Sequence, residues 1–568
     1  MSSKPFSRGE NNESEVICLS CYKETTPKYR RNNIIFGNRN MLKGGRVMES
    51  KVIYGGPGSG KTRRLVKIFT ELLDSGTNIN DIQAVAFNRS VADEIAFRIE
   101  ETRGKSVYDL RKTVVSTFHG FCRRLLSTEF EITVLPPWKI ASEFLNFLED
   151  RKKFTKSGRE KEIFQVFISL YELYNEVKPK VSFWSYCLQY LRRSISHSIK
   201  NWSIADARRL FQEINFTEIY TFFTDWRFLQ TPLRLSFQEL QTMVQKKIDM
   251  FKNKKKFLLT DENQDFSPTQ WSILNSLNGT KICVGDDDQS VYKYRGADPK
   301  FFLSLPFEKV ILKESYRYDT EYAQALERGI KSLVKHRQPK IINGLGSSIK
   351  IHNFIPQRIE KGVVLARTNK VLRGFSLQLT KNAVPHILEE SSILGQKTSN
   401  PVKQKFKRIL VFLNSRDITE FAENVAKIIR DKGYSKKENE EKIRTLKSKH
   451  KDYLILFELM KDRAIGEKLR LCQRHSKLKK QADELTRITD IERFLADVEN
   501  PQLTLSTVHR FKGRENDFIY IINFDDGFFP MRHNDFEEEV RIAYVALSRV
   551  KKELYIDGNS FLRSKFLG

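Results

Sequence analysis

No apolar run in this 568-residue chain approaches the roughly 20 residues that a membrane-spanning helix needs, which removes helical membrane proteins from consideration. The first residues also lack the apolar core of a signal peptide, so an intracellular, soluble protein is the default expectation. Cysteine is scarce: six, at positions 18, 21, 122, 187, 283 and 472, of which only Cys18 and Cys21 form a close CxxC pair. A structural zinc site takes four ligands, usually as two such pairs, and no second pair exists. Free, reduced thiols are expected instead. Acidic residues are in deficit, with 70 Asp+Glu against 99 Lys+Arg and a net charge of +29. Such an excess attracts polyanions by counterion release whatever their sequence, so a nucleic-acid partner is expected. Charge alone separates neither DNA from RNA nor an enzyme from a binding protein.

The chain is too long for one core, and at roughly 150 residues per domain it should hold about three or four. Residues 1–47 are polar, rich in Asn, Arg and Ser, and without periodicity, and read as mostly disordered. Lys43-Gly44-Gly45 precedes Met48 and can be encoded by a purine-rich stretch like a prokaryotic ribosome-binding site. Met48 is therefore a candidate start of translation, the alternative being an ordinary flexible tail. From Lys51 short apolar runs alternate with amphipathic stretches, the pattern of repeated βα units. Strands are expected at Val52–Gly55, Ala84–Phe87, Val114–Thr117, Phe257–Thr260 and Lys281–Val284. A second series follows at Val310–Lys313, Val363–Ala366, Leu503–Ser506, Phe518–Ile522 and Leu554–Ile556. Two parallel sheets in two lobes follow from that count. The first lobe would comprise 48–126 and 257–305, and the second 306–389 and 501–568. Residues 127–256 and 390–500 carry few strand signals and are too long for loops, so each is expected to be a mainly helical insertion. The second is basic, densely so from Lys403 to Lys480.

Gly55-Gly56-Pro57-Gly58-Ser59-Gly60-Lys61-Thr62 fits the phosphate-loop pattern GxxxxGK[ST] between an apolar strand and a helix-like run, Arg63–Leu73. Glycines there let backbone N–H groups approach phosphate at a helix N-terminus. Lys61 should reach the β- and γ-phosphates, and Thr62 the Mg²⁺. In FLLTDENQD, Phe257–Asp265, an apolar strand runs into Asp261-Glu262 at its carboxyl end, where a parallel sheet places its ligand crevice. Asp261 suits the Mg²⁺ shell, and Glu262 suits orienting and deprotonating the attacking water. A polar strand end with helix-capping carboxylates is the plainer reading of the pair, and the phosphate loop on the same sheet favours catalysis.

These two motifs resemble the first signatures of superfamily 1 helicases of the UvrD/Rep type, and the rest follow in order. AVAFNRSVADEIAFRI (Ala84–Ile99) and STFHGFCRRLL (Ser116–Leu126) are similar to that family's nucleic-acid contact motifs. CVGDDDQSVYKYRGAD (Cys283–Asp298) resembles its third motif, and KESYR (Lys313–Arg317) its fourth. TLSTVHRFKGRENDFIYI (Thr504–Ile521) resembles its fifth, and EEEVRIAYVALSRVKK (Glu537–Lys552) its sixth. The resemblance spans Lys51 to about Gly558, less the two insertions. It implies two RecA-like lobes that close on ATP. Gln289 would sense the γ-phosphate; Arg317 and Arg549 would reach it from the second lobe, where a planar, permanently charged group is apt. Tyr316 would stack on adenine and Glu515 would contact the ribose. On the nucleic-acid side the resemblance points to Phe87, His119, Tyr292, Tyr294 and Arg295. Aromatic faces among basic residues suit sequence-independent stacking of single strands. Phe87 and Tyr292 also read as core residues at strand ends. Two departures stand out. The family's Gln-containing adenine-reading motif is missing from residues 1–50, and the second insertion, about 110 residues, is shorter than usual.

The expectation is therefore an ATP- and Mg²⁺-dependent translocase on single-stranded or tailed duplex nucleic acid that unwinds duplexes. The resemblance favours DNA and 3′-to-5′ movement. The alternatives are a single-strand-stimulated ATPase without unwinding and a non-catalytic nucleic-acid-binding protein. Against the latter stand Lys61, Thr62, Asp261, Glu262, Gln289, Arg317 and Arg549, all intact. No nuclease constellation follows the motor motifs.

Overall fold

A computed structural model describes residues 40–41 and 47–567, apart from 105, 152–159, 178–180, 189–190, 192–202, 341, 356–358, 360, 393–394, 415–462, 475–477 and 532–534. Cys18, Cys21 and most of the N-terminal segment expected to be disordered lie outside these residues, as does much of the Lys/Arg-rich stretch. Cys122, Cys187, Cys283 and Cys472 are free and buried. Among the described residues no helix is long and apolar enough to cross a membrane.

The first sheet has six strands: β1 (Lys51–Gly55), β2 (Ile82–Ala86), β3 (Val115–Thr117), β4 (Phe257–Thr260), β5 (Thr280–Gly285) and β6 (Glu308–Leu312). They lie in the order β6-β1-β5-β4-β2-β3, and every pairing is parallel. Alternate side chains enter two apolar layers. Val52, Tyr54, Leu258 and Cys283 go to one layer, and Ile53, Leu259, Ile282 and Val284 to the other. Burial on both faces explains why these strands read as continuous apolar runs rather than alternating ones.

The second sheet has seven: β7 (Lys350–Asn353), β8 (Gly362–Ala366), β9 (Ile387–Ser392), β10 (Gly395–Ser399), β11 (Leu503–Thr507), β12 (Asn516–Ile521) and β13 (Val550–Ile556). Their order is β7-β13-β12-β8-β11-β9-β10, parallel except for the β9–β10 hairpin. Val363, Leu365, Ile519 and Ile521 face one layer, and Val364, Leu505 and Tyr520 the other. The fold is α/β, with two RecA-like parallel-sheet lobes. Between β3 and β4 sits a helical insertion with an aromatic core of its own around Phe144, Phe164, Phe167, Phe216 and Phe223. Among the described residues of the second interruption, Val402, Phe406, Ile409, Leu469, Leu485 and Val498 belong to a smaller core.

Three boundaries differ from those read in the sequence. The strand expected at Val310–Lys313 in the second lobe is β6, an edge strand of the first sheet paired along β1 from Glu308↔Lys51 to Leu312↔Gly55. A lone apolar run carries no mark of which sheet will receive it. Ile387–Ser392 and Gly395–Ser399, partly assigned to the helical insertion, pair as the antiparallel strands β9 and β10. Their Glu, Gln and Lys residues hide an edge hairpin from an apolar-run criterion, although Glu389 and Glu390 are turned in and paired with Arg514 and Arg373. Leu233, Leu235, Leu240, Met243 and Val244, assigned to the first insertion, pack into the first lobe's own core with Leu258 and Phe266.

Candidate active site and nucleic-acid interface

The phosphate loop leaves β1 at Gly55 and turns into helix Lys61–Asp74, whose N-cap, Gly60, is left-handed with φ 77°. The Ser59 hydroxyl donates to Gly56 O at 2.8 Å and closes the turn. Lys61 Nζ donates to Gly55 O at 2.9 Å and Gly56 O at 3.0 Å, so the ammonium is held over the mouth of the loop. Burial lowers its pKa, against the opposing pull of Asp286, Glu262 and Asp261. Gly58 shows why glycine is required: its φ is +72°, and a Cβ there would stand 2.7 Å from Cβ of Arg317 on the second lobe. Tyr316 N–H donates to Gly58 O at 2.9 Å and the Ser315 hydroxyl to Pro57 O at 2.8 Å, so the loop is clasped from outside its own sheet.

At the end of β4 the Thr62 hydroxyl donates to Asp261 Oδ2 at 2.9 Å. Burial, and then Glu262, push the Asp261 carboxyl up to about 7. Glu262 has φ 54°, a left-handed conformation that non-glycine residues adopt at a cost and that clusters at functional sites. Burial would raise its pKa, but Lys512 and Lys61 outweigh burial and hold the carboxyl below its ordinary value. Gln264 bridges two motifs: its amide donates to Glu262, and its Oε1 accepts from Asp286 N–H at 2.9 Å.

The second lobe completes the site. Arg549, buried, donates through Nη2 to Gln289 Oε1 at 2.7 Å. Burial and the neighbouring Arg317 lower its guanidinium to about 10. Arg317 donates to Ser548 O at 2.6 Å and pairs with Glu515 at 2.5 Å, while its buried Nε has no partner. Glu515 also pairs with Lys551 at 2.7 Å. Tyr316 stands exposed beside Gly60, 3.8 Å from where a Cβ would lie. The loop, Thr62, Asp261, Glu262, Gln289, Arg317, Arg549, Tyr316 and Glu515 thus converge on one interlobe cleft. Facing donors, a Thr–Asp oxygen pair, an unpartnered guanidinium nitrogen and glycines where a Cβ would collide fit a magnesium–nucleoside triphosphate.

Lys512 was missed by the sequence reading, though it lies inside a motif quoted there. It is buried, donates to Gln289 O at 2.5 Å and to Asp265, and stands 3.8 Å from Glu262. It therefore ties the second lobe to the end of β4.

The aromatic residues lie further along the same cleft. Phe87, one residue beyond β2, stacks on Tyr292 with centroids 4.9 Å apart. Tyr292 is enclosed: its hydroxyl donates to His509 O at 2.9 Å, and Lys512 Nζ lies 5.3 Å from its ring centroid. Tyr294 packs edge-on against His509 at 5.9 Å, and 46% of it is exposed. His119 Nε2 lies 2.8 Å from Gln241 Nε2, and burial lowers its pKa to about 4, so the ring is neutral. Arg295 is half-buried close by and contributes to that depression.

Comparison with known proteins gives the following. Residues 45–308 match the model of the UvrD/REP helicase N-terminal domain, and residues 400–560 that of the UvrD-like helicase C-terminal domain. The ATP-dependent DNA helicase PcrA of Staphylococcus epidermidis is 24% identical over 617 aligned positions, covering 89% of this chain and 80% of the relative. PcrA of Staphylococcus aureus is 24% identical over 622 positions with the same coverage. Among solved structures, the arterivirus nonstructural protein 10 helicase aligns with a TM-score of 0.33 at 10% identity, covering 91% of this chain and 62% of the other.

Proposed function

Since the chain belongs to the UvrD/Rep-type superfamily 1 helicases, we propose that it is an ATP-dependent DNA helicase that moves 3′ to 5′ on a single strand. The observation that carries this reading is the interlobe contact of Arg549 Nη2 with Gln289 Oε1 at 2.7 Å, beside Lys61 and Glu262. Groups from both lobes meet where a γ-phosphate would lie, so ATP binding and lobe closure become one event.

Lys61 and the loop N–H groups hold the phosphates, and Thr62 and Asp261 hold Mg²⁺, which neutralises charge on the phosphate oxygens when bound. Glu262 takes a proton from water as the water oxygen bonds to the γ-phosphorus and the bridging oxygen leaves with ADP. Gln289, Arg317 and Arg549 stabilise the charge that spreads over the transferring group. Tyr316 covers the base and Glu515 contacts the ribose. Loss of phosphate removes its share of the contacts between the loop and the arginines, which weakens the hold of one lobe on the other. Phe87, His119, Tyr292, Tyr294 and Arg295 line the track, with Tyr294 the exposed stacking face and Tyr292 its support. The helical segments between β3 and β4 and after β10 form the two insertions.

Strand displacement from duplexes with 3′ or 5′ tails, of DNA or of RNA, tests the proposal. Unwinding that needs ATP and Mg²⁺ and a 3′ DNA tail is expected. ATP hydrolysis without displacement of any duplex would overturn the helicase reading, and displacement from 5′ tails alone would overturn the polarity.

A further inference from the structure

Beyond β5, Asp286, Asp287 and Asp288 are all buried, with ligand atoms within 4.8 Å of one another. Three adjacent carboxylates out of water would be prohibitive without counter-charge. The counter-charge comes from the second lobe. Lys340 Nζ, fully buried, reaches Asp286 Oδ1 at 2.9 Å, Asp287 Oδ1 at 2.8 Å and Asp288 Oδ2 at 2.6 Å. Arg337 donates twice to Asp288, at 2.8 and 2.6 Å, and twice to Glu327, at 2.7 Å each. Gln338 N–H donates to Asp287 Oδ2 at 2.8 Å, and Arg541 Nε to Asp287 O at 3.2 Å. The cation among these aspartates is thus a side chain of the protein itself.

One of the three carboxylates also does something else. Asp286 Oδ2 accepts from Gln289 Nε2 at 2.7 Å, while Gln289 Oε1 accepts from Arg549. Asp286 Oδ1, the other oxygen, pairs with Lys340 at 2.9 Å and also accepts from Asp288 N–H at 3.2 Å. The chain Lys340–Asp286–Gln289–Arg549 therefore starts and ends on the second lobe and passes through the first. With both oxygens engaged, the Asp286 carboxylate cannot rotate. The Gln289 amide then has one orientation, its oxygen toward Arg549.

We infer that Lys340 is a positioning residue for ATP hydrolysis, acting through Asp286 to orient Gln289. This rests on the reading of the interlobe cleft as the ATP site. A lobe contact with no such role could be apolar, since a buried ion cluster adds little stability over a packed hydrophobic one. Here Lys340 supplies the counter-charge for the buried Asp286 carboxylate on the Oδ1 side and leaves Oδ2 to the glutamine.

The test is a mutant cycle. Lys340→Met alone would strand buried carboxylates and unfold the region, so it is combined with Asp287→Asn, which removes one buried charge of each sign. Lys340→Arg, which keeps the charge and changes its reach, is the second variant. Gln289→Ala should lower kcat on the order of 10²-fold, as for loss of one preorganised group. The Lys340 variants should lower kcat by about tenfold or more, with ATP affinity, read by a fluorescent analogue, changed less than about threefold. In the Gln289→Ala background the same changes should cost less than about twofold, because groups that act as a unit are not additive. Additive losses, or losses that track the melting temperature, would overturn the inference and leave the ATP site standing. An unchanged kcat in Gln289→Ala would overturn both.

Discussion

Glu262 and Lys61 are both charged residues in one cleft, yet their removal should read differently. Glu262→Gln keeps the shape and takes away the proton acceptor, so ATP should still bind while turnover falls about 10²–10⁴-fold. Lys61→Ala removes the ammonium over the loop mouth, so nucleotide binding should weaken together with turnover. Equilibrium binding of a fluorescent ATP analogue beside steady-state hydrolysis separates the two, and near-normal turnover in Glu262→Gln would refute its role. Two histidines make a second test at this scale. Burial lowers His119 to about 4 and His509 to about 3, from 6.5. Between those values and 6.5 the unfolded chain binds protons that the folded chain refuses. Stability should therefore be lost as pH falls through that window, by up to about 1.4 kcal/mol per pH unit for each ring. Replacing either with Gln should flatten the fall in melting temperature between pH 7 and pH 5. Parallel curves for variant and parent would show that these rings are solvated.

The stretch Tyr292–Arg295 contains two tyrosines with opposite expectations. Tyr294 is exposed and Tyr292 is wedged among Phe87, His509 and Lys512. Tyr294→Ala should raise the single-strand concentration for half-maximal ATPase stimulation by about 5- to 150-fold, the worth of one base stack of about 1–3 kcal/mol. Its salt dependence should stay the same, since no phosphate contact is removed. Tyr292→Ala should instead lower thermal stability, by less than the about 3–5 kcal/mol that truncating a fully buried aromatic costs, since the ring is partly buried. Equal losses of stability in both variants would mean that the whole stretch is structural. The element was legible in the sequence as an aromatic run beyond a strand, but nothing in its spacing says which ring faces out. That depends on His509, which lies 217 residues from Tyr292.

At the scale of the whole molecule the two lobes meet through buried charge. Lys512→Met would leave Asp265 unpaired, and breaking a buried pair costs about 3–5 kcal/mol. Adding Asp265→Asn should recover much of the melting temperature but not the stimulation of ATPase by single strands, because the tie to Gln289 O stays broken. Recovery of both would make Lys512 a matter of stability alone.

What the sequence determined by itself is what short range decides. The phosphate loop is legible because backbone N–H groups, a left-handed glycine and a following helix must be contiguous. Asp261-Glu262 is legible because a parallel strand delivers its carboxyl end to the crevice. The strand cores are legible because burial on both faces leaves only apolar choices. The tertiary structure alone decided the rest: that β6 joins the first sheet, that the polar β9–β10 hairpin extends the second, and that Lys340, Arg337 and Lys512 are buried. In a chain with 99 Lys and Arg, a lysine bound for the interior looks like any on the surface. Only the carboxylates waiting across the lobe boundary, 52 to 247 residues away, make its burial favourable.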